Sequence, residues 1–258
     1  MMRWLLRSTP PRSLLAAALL CALPAGAART SHLFLDESQL VPEGSLELEQ
    51  WIWAYGRIPN QVNRPASIWV WWGPALALTN HLELELPLQL VSVPDATNLY
   101  SLSLVARYRI FPREDDTGFQ PLIRIAYEQP LTNYAGPPSV EATLVVTYGS
   151  LESIRFTLNA GAIIDMPFLK SNETGDVSVL GKVGLGISFP VGKELRLAAE
   201  TLCQFPVTGA THPGKTQLYL GPSLAWTRGP FWVTFGSLFG LTPDSSRWYP
   251  RLLWGVAL

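Results

Sequence analysis

Trp51, Trp53 and Tyr55 stand at a spacing of two, as do Trp69 and Trp71 a short way downstream. Side chains at that spacing share one face of a strand. On adjacent strands the five rings would make an aromatic wall, and Tyr249 would join it if the sheet closed on itself. Near the mouth of a barrel such a wall can stack on sugars or hold an apolar solute. It can equally pack a plug or a folded loop. Charges recur with the same parity: Glu47, Glu49, Glu83, Glu85, Arg107, Arg109, Arg124, Glu128, Glu141, Arg155, Asp165, Asp176, Lys182, Glu194, Arg196, Glu200 and Arg251. Neighbouring strands often oppose in sign, as Glu83 and Glu85 beside Arg107 and Arg109. These groups either pair to hold a closed interior, since a buried unpaired charge is costly, or form rings of lumen charge that select solutes.

Other candidate chemistry fails on its structural requirements. Gly209-Ala210-Thr211-His212-Pro213-Gly214-Lys215-Thr216 has the spacing of a phosphate loop. That loop works only when a helix follows and turns its N-terminus to the phosphates. Here Gln217-Leu218-Tyr219-Leu220 follows, a strand, so no nucleotide is expected. His32, His81 and His212 offer no two at metal-ligand spacing, so neither a metal nor another cofactor is expected. A membrane lipid hydrolase needs His and Ser together near the outer rim. Only His212 would lie on an outer loop, so no catalytic residue is assigned and the chain is not read as an enzyme.

The elements that carry these residues are strands. Leu82, Leu84, Leu86, Leu88 and Leu90 alternate with His81, Glu83, Glu85 and Gln89. Ile154, Phe156, Leu158, Ala160, Ala162 and Ile164 alternate with Arg155, Thr157, Asn159, Gly161 and Asp165. Period-two patterning places strands near 45–55, 67–78, 81–91, 98–111, 118–128, 139–149, 153–165, 176–189, 194–205, 215–226, 231–241 and 248–258. Short turns (Thr79-Asn80, 149–152, 190–193, 227–229, with 113–117 slightly longer) alternate with longer segments (56–66, 129–138, 167–175, 206–214, 242–247), 92–97 being among the shortest on that side. The expected fold is all-β: a transmembrane antiparallel up-and-down barrel of about twelve strands, with short periplasmic turns and longer outer loops. Pro74, Pro87, Pro121 and Pro222 fall inside strands and predict bulges or frayed pairing at the periplasmic rim.

Composition agrees. Charged residues are 15% of the chain, well below the roughly 25% of an ordinary soluble domain. Mean hydropathy is +0.17, yet nothing after the first residues approaches the ~20 apolar residues of a membrane helix. Arg3, Arg7 and Arg12, the apolar run 13–23 and Ala25-Gly26-Ala27 make residues 1–27 a cleaved secretory signal. Removing it takes the formal charge from -1 to -4 by the loss of three arginines and no acids, which leaves no basic surface for nucleic acid. Residues 28–43 are expected as a periplasmic lead-in and 44–258 as the barrel. One face of the strands is apolar, for instance Leu102, Leu104, Tyr108 and Ile110, or Val183, Leu185, Ile187 and Phe189, with Cys203 of the same parity. The partners implied are outer-membrane lipids and a small solute.

The stretch Trp72-Gly73-Pro74-Ala75-Leu76-Ala77-Leu78-Thr79-Asn80-His81-Leu82-Glu83-Leu84-Glu85-Leu86-Pro87-Leu88 resembles a strand–turn–strand of the bacterial phenol meta-pathway-associated outer-membrane proteins. The resemblance covers one hairpin. It implies a roughly twelve-stranded barrel and transport of hydrophobic or aromatic compounds, with no binding residues to carry over. The chain end, with Leu252, Trp254, Val256 and Leu258, resembles the signal read by the barrel-assembly machinery, although Leu258 stands where that signal usually has an aromatic. The functional expectation is an outer-membrane passive channel for small solutes. A barrel this size is narrower than the 16–18-stranded porins, so its interior could be largely filled. The alternatives are a non-conducting structural or ligand-binding barrel, an outer-membrane lipid hydrolase, and a soluble exported β-sandwich.

Overall fold

The computed structural model describes residues 30–55, 67–93, 96–111, 117–132, 136–169, 176–208 and 215–258. The signal expected over residues 1–27 lies outside them, as do His212 and most of the loop that resembles a phosphate-binding motif.

Thirteen strand segments form one antiparallel sheet. They are β1 Leu46–Tyr55, β2 Ser67–Ala77, β3 Leu82–Glu85, β4 Leu88–Val93, β5 Ala96–Arg109, β6 Gly118–Pro130, β7 Ser139–Gly149, β8 Arg155–Asp165, β9 Ser178–Pro190, β10 Leu195–Thr208, β11 Gln217–Arg228, β12 Phe231–Gly240 and β13 Trp248–Ala257. β3 and β4 are two lengths of one stave, both paired to β2 and β5, so the barrel has twelve staves. β1 pairs β2 on one side and β13 on the other (Trp51↔Leu253, Trp53↔Arg251), which closes the cylinder, so that among the described strands none is left as a sheet edge. The short β2–β3, β7–β8, β9–β10 and β11–β12 connections lie at one rim, here the turn end, together with the longer β5–β6 link. The other rim, the loop end, carries the remaining connections between staves, the brief β4–β5 link among them.

The period of two is what makes this arrangement work. Leu104, Ile125, Leu144, Phe156, Leu185 and Phe235 lie on the outside, and Leu185 keeps 58% of its surface exposed. Their sequence neighbours Ser103, Arg124, Thr143, Arg155 and Thr234 are buried inside. An outside that is apolar and uncovered needs lipid as its solvent. Leu185→Arg, at mid-height on β9, is therefore expected to cost about 2–4 kcal/mol. Urea unfolding in lipid vesicles, followed by tryptophan fluorescence with Leu185→Ala as reference, measures that loss.

Two of the prolines bring frayed pairing but no bulge. Pairing lapses at Leu86–Pro87 and around Pro222 without any change of register, because the flanking pairs keep one alignment (Ala75↔Glu85 and Trp72↔Leu88; Leu220↔Phe239 and Ser223↔Gly236). Leu86 N–H still donates to Pro74 O, so a missing donor costs the ladder one rung and no bend. The register shifts fall instead at Gln89/Leu90 and Pro206/Thr208, toward the loop end.

Residues 30–43, expected as a lead-in beneath the barrel, run inside it. Ser31, His32, Leu33, Leu35, Glu37, Ser38, Gln39 and Val41 are all buried, most of them completely. From Thr30, held by Thr234 within β12, the segment turns back at Leu33–Asp36 and descends to Gly44, whose N–H bonds Ala77 O beside the start of β1.

Candidate functional site: a stoppered lumen

An irregular segment inside a barrel has no ladder to satisfy its backbone, so each buried N–H and C=O needs another partner. Wall side chains supply them. The Glu200 carboxylate accepts three consecutive backbone N–H groups at the tip: Leu33 at 2.6 Å, Phe34 at 3.0 Å and Leu35 at 3.2 Å. Asn159 answers Asp36 reciprocally, its Oδ1 accepting from the backbone N–H (2.8 Å) and its Nδ2 donating to the backbone O (2.9 Å). Arg109 donates twice to Ser38 O, and Arg107 donates to Glu37 O while pairing Glu83 at 2.9 Å. Thr147 accepts from Ser38 N–H, Glu83 accepts from Val41 N–H, and Ser223 and Thr234 donate to the carbonyls of Ser31 and Thr30. Arg251 donates to Leu33 O at 2.5 Å. The anchors thus come from staves all round the barrel.

Charge complementarity adds to this. The segment carries Asp36 and Glu37 into a wall rich in arginine. Asp36 lies 3.6 Å from Arg124, which also holds Glu141 at 3.1 Å, and Glu141 in turn takes Lys182 at 2.6 Å. Glu37, wholly buried, lies 2.8 Å from Arg155, accepts Ser31 N–H at 2.6 Å and meets His32 Nδ1 at 3.0 Å. Burial by itself would raise the Glu37 carboxyl. Arg155, with His32 and the Ser31 N–H, outweighs that and holds it down at about 2. Packing completes the seal. Leu33 sits with Ala225, Trp232 and Leu253, and Val41 with Ala75 and Ala77. Gly184 and Gly186 on β9 admit the segment: a Cβ at either would fall inside van der Waals distance of Leu35 or His32.

Above the tip lies a chamber of about 290 Å³, lined by the aromatic Phe34, Trp51, Trp53, Trp71 and Tyr249 and also by the charged Arg124, Glu128, Glu141, Lys182 and Arg251. Trp51 and Trp71 are 4.1 Å apart between ring centroids, and Trp53 lies nearly parallel to Trp69 at 6.1 Å. Trp69 also meets Tyr100 edge-on at 4.7 Å. The backbone of Tyr55 ends β1 beside this group, and its side chain lies outside the described residues. Arg251 spreads over Trp51 at 4.5 Å, over Phe34 at 4.7 Å and over Trp53 at 5.3 Å.

Most of the sequence-derived charges divide into two groups, whereas Asp176 and Glu194, expected to face inward, lie exposed outside the strands, Glu194 beside Arg228 and Trp226. Glu83, Arg107, Arg109, Arg124, Arg155, Glu200 and Arg251 hold the inserted segment directly. Glu47, Glu49, Glu85, Glu141, Lys182 and Arg196 belong to the wall: Glu47 accepts from Trp232 Nε1, Glu49 from Trp51 Nε1, Glu85 lies 3.8 Å from Arg107, and Arg196 grips the 151–153 turn. His81 stands at the turn end against Arg109 O and Tyr108. Sequence reasoning missed the segment itself, and with it Phe34, His32 and Glu37. One signal was available: Leu122, Val145, Leu202, Trp232, Leu238 and Leu253 are apolar yet have inward parity, which a water-filled lumen does not require.

No family model matches the chain, and no curated protein matches it. Among solved structures it is similar to the COG4313 outer membrane channel from Pseudomonas putida F1, with 13% identity and a TM-score of 0.62 over 86% of this chain and 98% of that one. It is also similar to the KdgM porin, with 9% identity and a TM-score of 0.51 over 82% and 98%. Likeness at such identities is a likeness of fold: a closed transmembrane β-barrel.

Proposed function

We propose that the protein is a bacterial outer-membrane channel for small solutes, exported by way of residues 1–27, with residues 30–43 as a stopper inserted from the periplasmic rim. One observation carries this reading. The interior is filled by a segment that belongs to no stave, seated against a wall that keeps Gly184, Gly186, Ala198, Ser223 and Ala225 facing inward to make room for it. The wall's own side chains fill a barrel of about eight strands, but a twelve-stave barrel is wider, and here an inserted segment takes up the remaining space. Here the filling is attached at one end and held mostly by hydrogen bonds and ion pairs, which solvent can replace when the segment moves. The chamber of tryptophans above it favours hydrophobic or aromatic solutes.

The test is ionic current through single molecules in planar bilayers. The whole chain is expected to conduct weakly or in rare events. The same chain lacking residues 30–43 is expected to conduct steadily, and its folding is checked independently by heat-modifiable gel mobility. A folded deletion variant without current would leave the second reading, a ligand-binding barrel that does not conduct. The aromatic chamber is what favours that reading.

A further inference from the structure

Phe34 is the side chain that the stopper lifts furthest into the aromatic chamber. Its ring is 4.3 Å from that of Tyr249 and lies under the Arg251 guanidinium at 4.7 Å. It also packs against the cluster of Leu202, Tyr219 and Leu238. The same guanidinium takes the Leu33 carbonyl oxygen at 2.5 Å and lies over Trp51 at 4.5 Å. One dipeptide of the stopper thus offers Arg251 both an aromatic face and an oxygen acceptor. A planar guanidinium binds both well, stacking on rings and donating to carboxylate oxygens from its edge.

We propose that this seat on Arg251, Trp51 and Tyr249 is a binding site for aryl carboxylates, and that Leu33–Phe34 occupies it as a tethered stand-in for the solute. The solute's ring takes the place of Phe34, and its carboxylate takes the place of the Leu33 carbonyl as acceptor for Arg251. A carboxylate is the stronger acceptor of the two because its bond to the guanidinium is charge-assisted on both sides. Arrival of the solute then removes two of the contacts that hold the tip, so binding and opening draw on the same atoms. This rests on the channel reading for its consequence, release of the stopper, but binding itself can be measured without it.

Tethering fixes the sign of the effects. An intramolecular competitor lowers apparent affinity by the fraction of time it holds the seat. The experiment is calorimetric titration of the full purified chain in detergent with phenylacetate, and with acetate and phenol as the two halves of that molecule. Phenylacetate is expected to bind at least about 10-fold more tightly than either half, since ring and carboxylate must be held together. Arg251→Gln is expected to abolish that preference. Phe34→Ala is expected to tighten phenylacetate binding about 10-fold, and the chain lacking residues 30–43 at least as much. If Phe34→Ala weakens binding, Phe34 is part of the receptor and the stand-in idea is wrong. If phenylacetate binds no better than acetate, the site is wrong. Bilayer current is read separately: the full binding pattern without current supports the site and counts only against the channel.

Discussion

Glu200→Ala is expected to unseat the tip of the stopper and turn a nearly silent barrel into a conducting one. Among the described residues this carboxylate alone gathers three successive backbone donors, Leu33, Phe34 and Leu35, on one point, and it does so where the chain reverses. Alanine leaves three buried N–H groups without an acceptor. Each buried donor left without an acceptor costs about 1–3 kcal/mol, and three that share one side chain cost less than their sum. Taking about 3 kcal/mol for the set, the ratio of seated to unseated molecules falls roughly 100-fold. Two readouts follow this. Amide exchange at Leu33, Phe34 and Leu35 accelerates by about that factor, and bilayer current rises. Glu200→Gln keeps one acceptor oxygen and should fall between parent and alanine. Parent-level exchange in Glu200→Ala would show that the carboxylate is not what holds the tip.

The barrel was legible in the sequence for a reason that bears on why the stopper was not. A strand between lipid and lumen must alternate, and Leu102, Ser103, Leu104 or Phe156, Thr157, Leu158 state that alternation residue by residue. Parity alone put Glu83 beside Arg107, and they pair. The stopper obeys no period. Its conformation is dictated by partners far along the chain, such as Glu200 for Leu33 and Arg251 for Leu33 O, and no local rule encodes them. What the sequence did carry was a surplus. Leu122, Val145, Leu202 and Leu238 are apolar where a hydrated wall would not need them, and glycines stand at 184 and 186 where a strand gains nothing from them. Small and oily inward residues on neighbouring staves mark a surface shaped to receive chain. The tryptophans were placed on the right face, but whether they meet solute or stopper turns on Phe34, which lies among them in space and far from Tyr249 in sequence.

Acid should loosen the stopper through Glu37 in a window set by that residue. Seated, its carboxyl is held at about 2. Released into water it returns to its ordinary 4.5, so the seated state binds fewer protons. The contribution is therefore complete above pH 4.5 and is lost as the pH falls from there through 2. A displacement of that size corresponds to about 3 kcal/mol, or roughly a 100-fold change in the seated ratio, between neutral pH and the acid side of the window. Between pH 7 and 5 Glu37 contributes no change. Other carboxylates also face arginines in the lumen, Asp36 on Arg124 among them, so the parent curve alone is not diagnostic. Glu37→Gln isolates the effect. It leaves Arg155 wholly buried beside a neutral amide, which costs about 3–5 kcal/mol when a buried pair loses one partner. That variant should be open at neutral pH and should lose the part of the acid response that lies between 4.5 and 2. Arg155→Met with Glu37→Gln removes both charges together and should restore seating at neutral pH while staying insensitive to acid in this window, because neither partner is then left buried and uncompensated. Current and amide exchange at Ser31 and His32, recorded from pH 7 to 2 for all three chains, decide it. An acid response in the double variant equal to the parent's would remove Glu37 from the latch.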